Sequence, residues 1–273
     1  MNIELVRDPA GIMQMRKRVK TGAGFTTNLF LSDALMGEHA ASGRLYGIAA
    51  DGINYFVLDS GDFHRLYFAA SALECLQMTL SELPLAGVED CVTDLIGAPD
   101  AVDKMVCTFL AAGFTVYTQF QRMTRVPRST EPVSGGDEGV RYAAADEAPT
   151  VYGMIKAHFD ARAEHIPSAD EISAAIDRHA VLIADCRGEP AAMLFYDRTG
   201  VSTVLRYWLV MPPFRRQGYG DKVLRRYFAD CAGCRRFMLW VQCSNNQALR
   251  HYTHYGYGPD GAIDRILRRQ TAA

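Results

Sequence analysis

Two glycines, Gly218 and Gly220, follow two arginines, Arg215 and Arg216, at the point where an apolar run gives way to an amphipathic pattern. The run Val204-Leu205-Arg206-Tyr207-Trp208-Leu209-Val210 reads as a buried strand rich in branched and aromatic residues. After the glycines, Tyr219, Val223, Leu224, Tyr227 and Phe228 recur at helical spacing. A strand, a glycine turn and a helix together aim the free N–H groups of a helix N-terminus into the turn, where the helix dipole favours negative charge. The chemistry this order can do is to hold a phosphate group, since neither glycine has a side chain to keep a bulky anion off the amides. Two common phosphate loops are excluded. Asp221-Lys222-Val223 does not supply the Lys-Ser or Lys-Thr pair of a Walker loop, and Val223 stands where a dinucleotide fingerprint needs its third glycine.

A second group of residues follows the next apolar run, Phe237-Met238-Leu239-Trp240-Val241: Asn245, Ala248, Tyr252 and then Gly256-Tyr257. The first group, Arg-x-x-Gly-x-Gly behind Val210-x-Pro212, resembles the pyrophosphate-binding motif of the GNAT superfamily of acyl-CoA-dependent N-acyltransferases. The second resembles the same family's Asn-x-x-Ala-x-x-x-Tyr-x-x-x-Gly-aromatic signature. The two arrive in the family's order, each behind an expected strand, and the resemblance covers about residues 140–270.

The resemblance implies a set of roles. The pyrophosphate of acetyl-CoA would lie on the amides of Gln217, Gly218, Tyr219 and Gly220, with Arg215 and Arg216 adding positive charge. Backbone N–H groups of Leu209 and Val210, on a splayed and bulged strand, would polarise the thioester carbonyl; one such fixed donor is worth about 3 kcal/mol. Tyr252 would give its proton to the departing CoA sulfur, a phenol being protonated at neutral pH; its competing reading is a core aromatic beside Tyr255 and Tyr257. Asn245 would touch the pantetheine arm or brace the strands, because Ser244 and Gln247 already form a capping box at that helix start. No carboxylate lies between Ser202 and Val210 to serve as general base, which leaves Asp197, His158, His165, Glu164 or a water relay open. His251 and His254 have metal-compatible helical spacing but overlap the tyrosine motif, and no metal is expected.

The function implied is transfer of an acetyl group from acetyl-CoA to a primary amine, small molecule or peptide, by direct attack without a covalent enzyme intermediate. Transfer of another acyl group, or acyl-CoA binding without catalysis, are the alternatives. The acceptor side would be carried by residues 150–170 and the surface between the two lobes, and fold likeness says little about which amine it takes.

The remaining chain must position these residues. Pro127 to Gly139 is poor in apolar residues and rich in turn formers, and reads as a linker between an N-terminal domain, residues 1–126, and an acetyltransferase domain, residues 140–273. In the C-terminal half a strand over Val140–Ala143, helices near 148–161 and 170–178, and a hairpin of 180–186 with 191–197 precede the phosphate unit, and a last strand is expected near 262–267. The N-terminal half repeats part of this order, with three antiparallel strands at 45–49, 54–58 and 65–69, a helix over 72–83, a strand over 88–96 and a helix over 100–112. Ala111-Ala112-Gly113-Phe114 matches His254-Tyr255-Gly256-Tyr257 as helix, glycine, aromatic, strand. We expect an α+β fold in two tandem lobes, each a mixed, mostly antiparallel sheet flanked by helices. The first would be a degenerate copy that lacks the glycine motif and binds no CoA. Residues 1–40 read as mostly helical.

Composition sets outer bounds. A hydrophobic content of 49% supplies a full core, and a net charge of −2 gives no global pull toward nucleic acid or anionic membranes. The start of the chain lacks a secretory pattern and no apolar stretch approaches the roughly 20 residues of a membrane span, so a cytoplasmic protein is expected. Seven cysteines, with Cys231-x-x-Cys234 the one close pair, read as reduced, mostly buried thiols. The sequence leaves a homodimer open.

Overall fold

The computed structural model describes residues 3–17, 19, 22–84, 88–127 and 139–270. The expected linker therefore lies, apart from its two ends, outside the described residues. The chain divides into two compact units, residues 1–120 with 261–273, and residues 121–260.

The first unit begins with β1 (Ile3–Leu5), α1 (Pro9–Arg16), β2 (Thr26–Thr27) and α2 (Asp33–Ala41). The mostly helical expectation for this region thus missed two short strands. Three antiparallel strands follow, β3 (Leu45–Ala50), β4 (Ile53–Asp59) and β5 (His64–Ala70), turning at Gly52 and Gly61, both with positive φ. Next come α3 (Leu73–Thr79), β6 (Asp90–Gly97) and α4 (Pro99–Ala111), then β7 (Thr115–Arg125), which passes from the first unit into the second. The core is formed by buried sheet residues such as Tyr55, Leu66 and Phe68, packed on Leu76 of α3 and on Val102 and Phe109 of α4.

β5 and β6 are parallel and keep register only at His64–Cys91 and Arg65–Val92. Beyond that point Asn28, wholly buried, bridges them. Its Nδ2 donates to Leu66 O at 3.1 Å, Asp94 O at 3.1 Å and Thr93 Oγ1 at 2.8 Å, and its Oδ1 accepts from Phe68 N at 2.6 Å. The fork between these strands is thus closed by the chain's own N-terminal segment, which pairs with β5 at Thr26–Ala70 and Thr27–Ala69.

The second unit runs through β8 (Val140–Tyr142), α5 (Ala148–His158), α6 (Ala169–Asp177), β9 (Val181–Cys186), β10 (Glu189–Thr199), β11 (Ser202–Val210), α7 (Tyr219–Asp230), β12 (Arg236–Gln242) and α8 (Asn246–His254). Its strands are ordered β12-β11-β10-β9-β8. All neighbours in this row are antiparallel except β11 and β12. α6 is started by a capping box in which Ser168 and Glu171 satisfy each other's backbone amides. α7 packs Val223, Leu224 and Tyr227 on one face of the sheet, and α5 and α6 pack Val151, Ile155, Ile172 and Ile176 on the other.

The last strand, β13 (Gly258–Gln270), was expected with the C-terminal half. Its residues from Gly261 onward belong to the first unit, where Ile263–Gln270 pairs antiparallel with β6. The repeat foreseen in the sequence holds in local geometry. Gly113 and Gly256 both have positive φ after a helix, and the following aromatic amide returns to the carbonyl five residues earlier, Phe114 to Phe109 at 3.1 Å and Tyr257 to Tyr252 at 3.0 Å. Each unit is a mixed, mostly antiparallel sheet flanked by helices. Among the described residues no helix is long and apolar enough to cross a membrane. Of the cysteines, Cys91, Cys231 and Cys234 are buried, whereas Cys107 and Cys243 are exposed.

Candidate active site

β11 was expected to be buried throughout; instead it alternates, with Thr203, Leu205, Tyr207 and Leu209 buried and the residues between them half-buried. Its register against β10 slips at Phe195/Tyr196, so that Arg206 is the extra residue of a bulge. Its register with β12 ends at Leu205–Leu239, and the two strands have no further paired residues. A bulged strand and an open fork therefore precede the glycine turn.

Within that strand the two expected donors differ. Met211 N bonds Ala191 O at 2.9 Å, and this fixes the alternation of the antiparallel ladder. Leu209, two residues earlier, turns its amide toward Met193 of β10. Val210 turns its backbone groups the other way, into the fork, where its carbonyl accepts from Arg215 Nε at 3.2 Å. The geometry offers Val210, not Leu209, as an amide donor to a molecule in the fork.

The turn itself is built from Pro212–Phe214, one 3-10 turn, followed by Arg216 at φ 63° and Gly218 at φ 84°. α7 starts at Tyr219, with Lys222 N bonded to Gly218 O at 3.1 Å. The amides of Gln217, Gly218, Tyr219 and Gly220 make no hydrogen bond within the described chain. The side chain of Gln217 is held on Pro213 O at 3.0 Å.

The glycines have different reasons. Gly218 needs its left-handed backbone and has open space around a would-be Cβ. Gly220 needs room inside the protein: a Cβ there would lie 3.0 Å from Val210 Cγ2 and 3.2 Å from Trp208 Cζ2. The second glycine lets α7 settle on β11, a packing role the sequence reading assigned to the ligand.

Trp208 links the turn to the second motif. Its ring centre is 5.6 Å from that of Tyr252, and its Nε1 is buried with no hydrogen-bond partner among the described residues. Tyr252 is buried, yet its hydroxyl makes no hydrogen bond with a described residue. Burial, and secondarily the charge of Glu164, push its phenol above the usual range. The neighbouring tyrosines are otherwise engaged: Tyr255 donates to Asp221 Oδ1 at 2.6 Å, tying the end of α8 to the start of α7, and Tyr257 is packed in the core.

Asn245, not Ser244, caps α8, its Oδ1 accepting from Ala248 N at 3.0 Å. The expected Ser244–Gln247 box lies one residue too early, because the chain leaves β12 through a turn in which Asn246 N bonds Ser244 O. Capping occupies the Asn245 carbonyl and leaves its Nδ2 group for other contacts.

The four candidates for a base separate clearly. Asp197 is held by Arg206 at 2.8 Å and Arg178 at 3.7 Å. His158 Nδ1 sits 2.9 Å from Met154 O, and His165 is exposed. Glu164 lies on the loop joining α5 to α6, which is pinned over β11 by Tyr207 Oη donating to His165 O at 2.6 Å and by Phe159 against Tyr207. Burial and then Asp160 push the Glu164 carboxyl up to about 7. Its charge is felt at both Tyr252 and Tyr207. Among the described residues no group of three or more His, Cys, Asp or Glu could hold a metal ion.

Residues 139–257 match the acetyltransferase (GNAT) family model. That stretch is a GNAT acetyltransferase domain. Solved structures share the fold at low sequence identity. A GCN5-related N-acetyltransferase from Sphaerobacter thermophilus is 13% identical over 88% of this chain and 87% of its own, with a TM-score of 0.59. A GNAT-family acetyltransferase from Colwellia psychrerythraea is 13% identical over 100% of both chains, at 0.56. A tandem GNAT protein from the clavulanic acid biosynthesis pathway is 9% identical over 84% of this chain and 83% of its own, at 0.54. No curated protein matches the chain in sequence. In the GNAT domain the residue that reading by motif missed is Trp208, whose bulk explains Gly220; Glu164 stood among the sequence candidates for a base, but no motif singled it out.

Proposed function

We propose that this GNAT domain transfers an acetyl group from acetyl-CoA to a primary amine by direct attack. The observation that carries the reading is the row of unbonded amides from Gln217 to Gly220 after an open fork, with Tyr252 against Trp208 of the bulged strand. The diphosphate would rest on those amides, and the thioester carbonyl would meet the Val210 amide. The orphaned Trp208 Nε1 and the free Nδ2 of Asn245 fit a ligand with several amide carbonyls, as the pantetheine arm has.

The proton steps balance. An amine that arrives as an ammonium ion gives a proton to the Glu164 carboxylate, and the freed lone pair attacks the carbonyl carbon. The C–S bond then breaks, the thiolate takes a proton from the Tyr252 hydroxyl, and the proton still carried by the acylated nitrogen passes back to the tyrosinate, which leaves a neutral amide, the CoA thiol and a protonated Glu164. The two groups are coupled, because Glu164's negative charge is one of the causes that raise the Tyr252 phenol. Protonating Glu164 removes that charge, so Tyr252 becomes a stronger acid as the leaving group needs it.

Incubating the purified protein with acetyl-CoA and a mixed amine library, followed by mass spectrometry, tests the reading. An acetylated amine is expected. With the acceptor in hand, Tyr252→Phe is expected to lower kcat by roughly 10²–10⁴ with little change in acetyl-CoA affinity. Unchanged turnover would remove Tyr252 from the proton path.

A further inference from the structure

A cavity lies at the C-terminal end of α7, away from the amide row at its start. Its volume is about 820 Å³, and Tyr142, Arg178, His179, Asp197, Arg198 and Asp230 are among the residues that line it. α7 is 12 residues long, so roughly 18 Å of helix separates Gly218 from Asp230. The turn between β10 and β11 borders the same cavity through Thr199 and Gly200. The proton path proposed above uses none of these groups.

Two charged groups here lack partners. Asp230 accepts Arg226 Nε at 2.8 Å on Oδ1, while its Oδ2 is buried without a hydrogen-bond donor. A buried carboxylate oxygen left unpaired costs the free protein stability. Arg198 is exposed and makes no ion pair or hydrogen bond with a described residue. The other carboxylate, Asp197, is already engaged by Arg206 at 2.8 Å and Arg178 at 3.7 Å. One orphan carboxylate oxygen and one orphan guanidinium therefore belong to a single cavity without bonding each other.

The walls around them are well fixed. His179 ends α6 at φ 55°, the left-handed backbone that glycine usually supplies, with its N–H on Ile176 O and that of Ala180 on Ala175 O, both at 2.9 Å. Its ring stacks on Tyr142, with centroids 4.7 Å apart and planes at 26°, and the Arg226 guanidinium lies 4.9 Å from the Tyr142 ring centre. α7 also ends here, and the negative end of its dipole adds to Asp230 in favouring a cation.

We infer that this cavity binds a free α-amino acid, whose ammonium group meets Asp230 and whose carboxylate meets the donor fork of Arg198. A zwitterion satisfies both orphans at once, whereas a simple anion or cation leaves one of them unpaired. A turn about the Asp230 Cβ–Cγ bond, a soft torsion for a carboxylate, presents Oδ2 to the ammonium. The site goes beyond the acyl-CoA reading and does not depend on it.

Calorimetric titration of the full chain with each of the common amino acids tests it. At least one is expected to bind saturably. Its methyl ester, which lacks the carboxylate, and its N-acetyl form, which lacks the ammonium, should each bind roughly tenfold more weakly or worse, as loss of one charge-assisted contact predicts. Arg198→Gln, at an exposed position, is expected to weaken binding by a similar factor with Tm unchanged. No binding by any amino acid would overturn the site. Undiminished binding in Arg198→Gln would place the amino acid elsewhere and overturn it too, as would an ester or N-acetyl form that binds as tightly as its parent.

Discussion

Tyr252 and Glu164 show how differently two catalytic candidates are written into a chain. Tyr252 is legible because its spacing to Asn245, Ala248 and Gly256 is fixed by a helix and its glycine cap, and spacing survives as pattern. Glu164 is one of several ionisable residues in the loop between α5 and α6, and that loop is held in place by Tyr207, which arrives from β11. That leads to a pH prediction. A carboxyl raised to about 7 is protonated below that value and cannot accept a proton, so kcat/KM is expected to rise with pH through about 7. Glu164→Gln should remove this acidic limb and lower the plateau. A limb that persists in the variant would show that another group titrates.

At the scale of elements, the strand–turn–helix unit was legible in type and place, but the reason for its second glycine was not. A sequence shows a missing side chain and cannot show which neighbour needs the space. Here the neighbour is β11 itself, through Val210 and Trp208. Gly220→Val is therefore expected to destabilise the fold by about 1–3 kcal/mol, the range for forcing extra carbon into packed contacts. A fall in Tm in the absence of any ligand would be the readout, and an unchanged Tm with weakened acetyl-CoA binding would return the glycine to a purely ligand-facing role. The helix cap at Asn245 carries the same lesson. Ser-Asn-Asn-Gln offers three possible caps within one turn, and only the path of the chain out of β12 selects among them. The alternating burial of β11 likewise depends on helices lying on both of its faces at unequal cover, which an apolar run does not encode.

For the whole molecule, the two-lobed α+β plan was legible because the helix–glycine–aromatic–strand order recurs, whereas the assignment of the last strand was not, since its pairing with β6 joins residues far apart in sequence. That pairing places Asp264 in a buried setting beside Asp94 and Arg65. Burial, then Asp94, push the Asp264 carboxyl up to about 8. The folded chain thus holds this proton more tightly than the unfolded chain does, so stability is expected to fall as pH rises from about 4 to about 8. Asp264→Asn should flatten that slope in denaturant titrations at several pH values, and an unaltered slope would assign it to other groups.

The two units also differ in what they can bind. At the position four residues before the capping glycine, the second unit has Tyr252 and the first has Phe109, which lacks a hydroxyl. The first unit's fork is bridged by Asn28, while that of the second is open. The function proposed above therefore predicts one acyl-CoA site per chain. Calorimetric titration of the intact protein with acetyl-CoA is the most direct measurement of this claim. The account predicts saturable micromolar binding with one equivalent per chain, lost when the amide row is blocked. No binding by the folded protein, or two equivalents per chain, would contradict it.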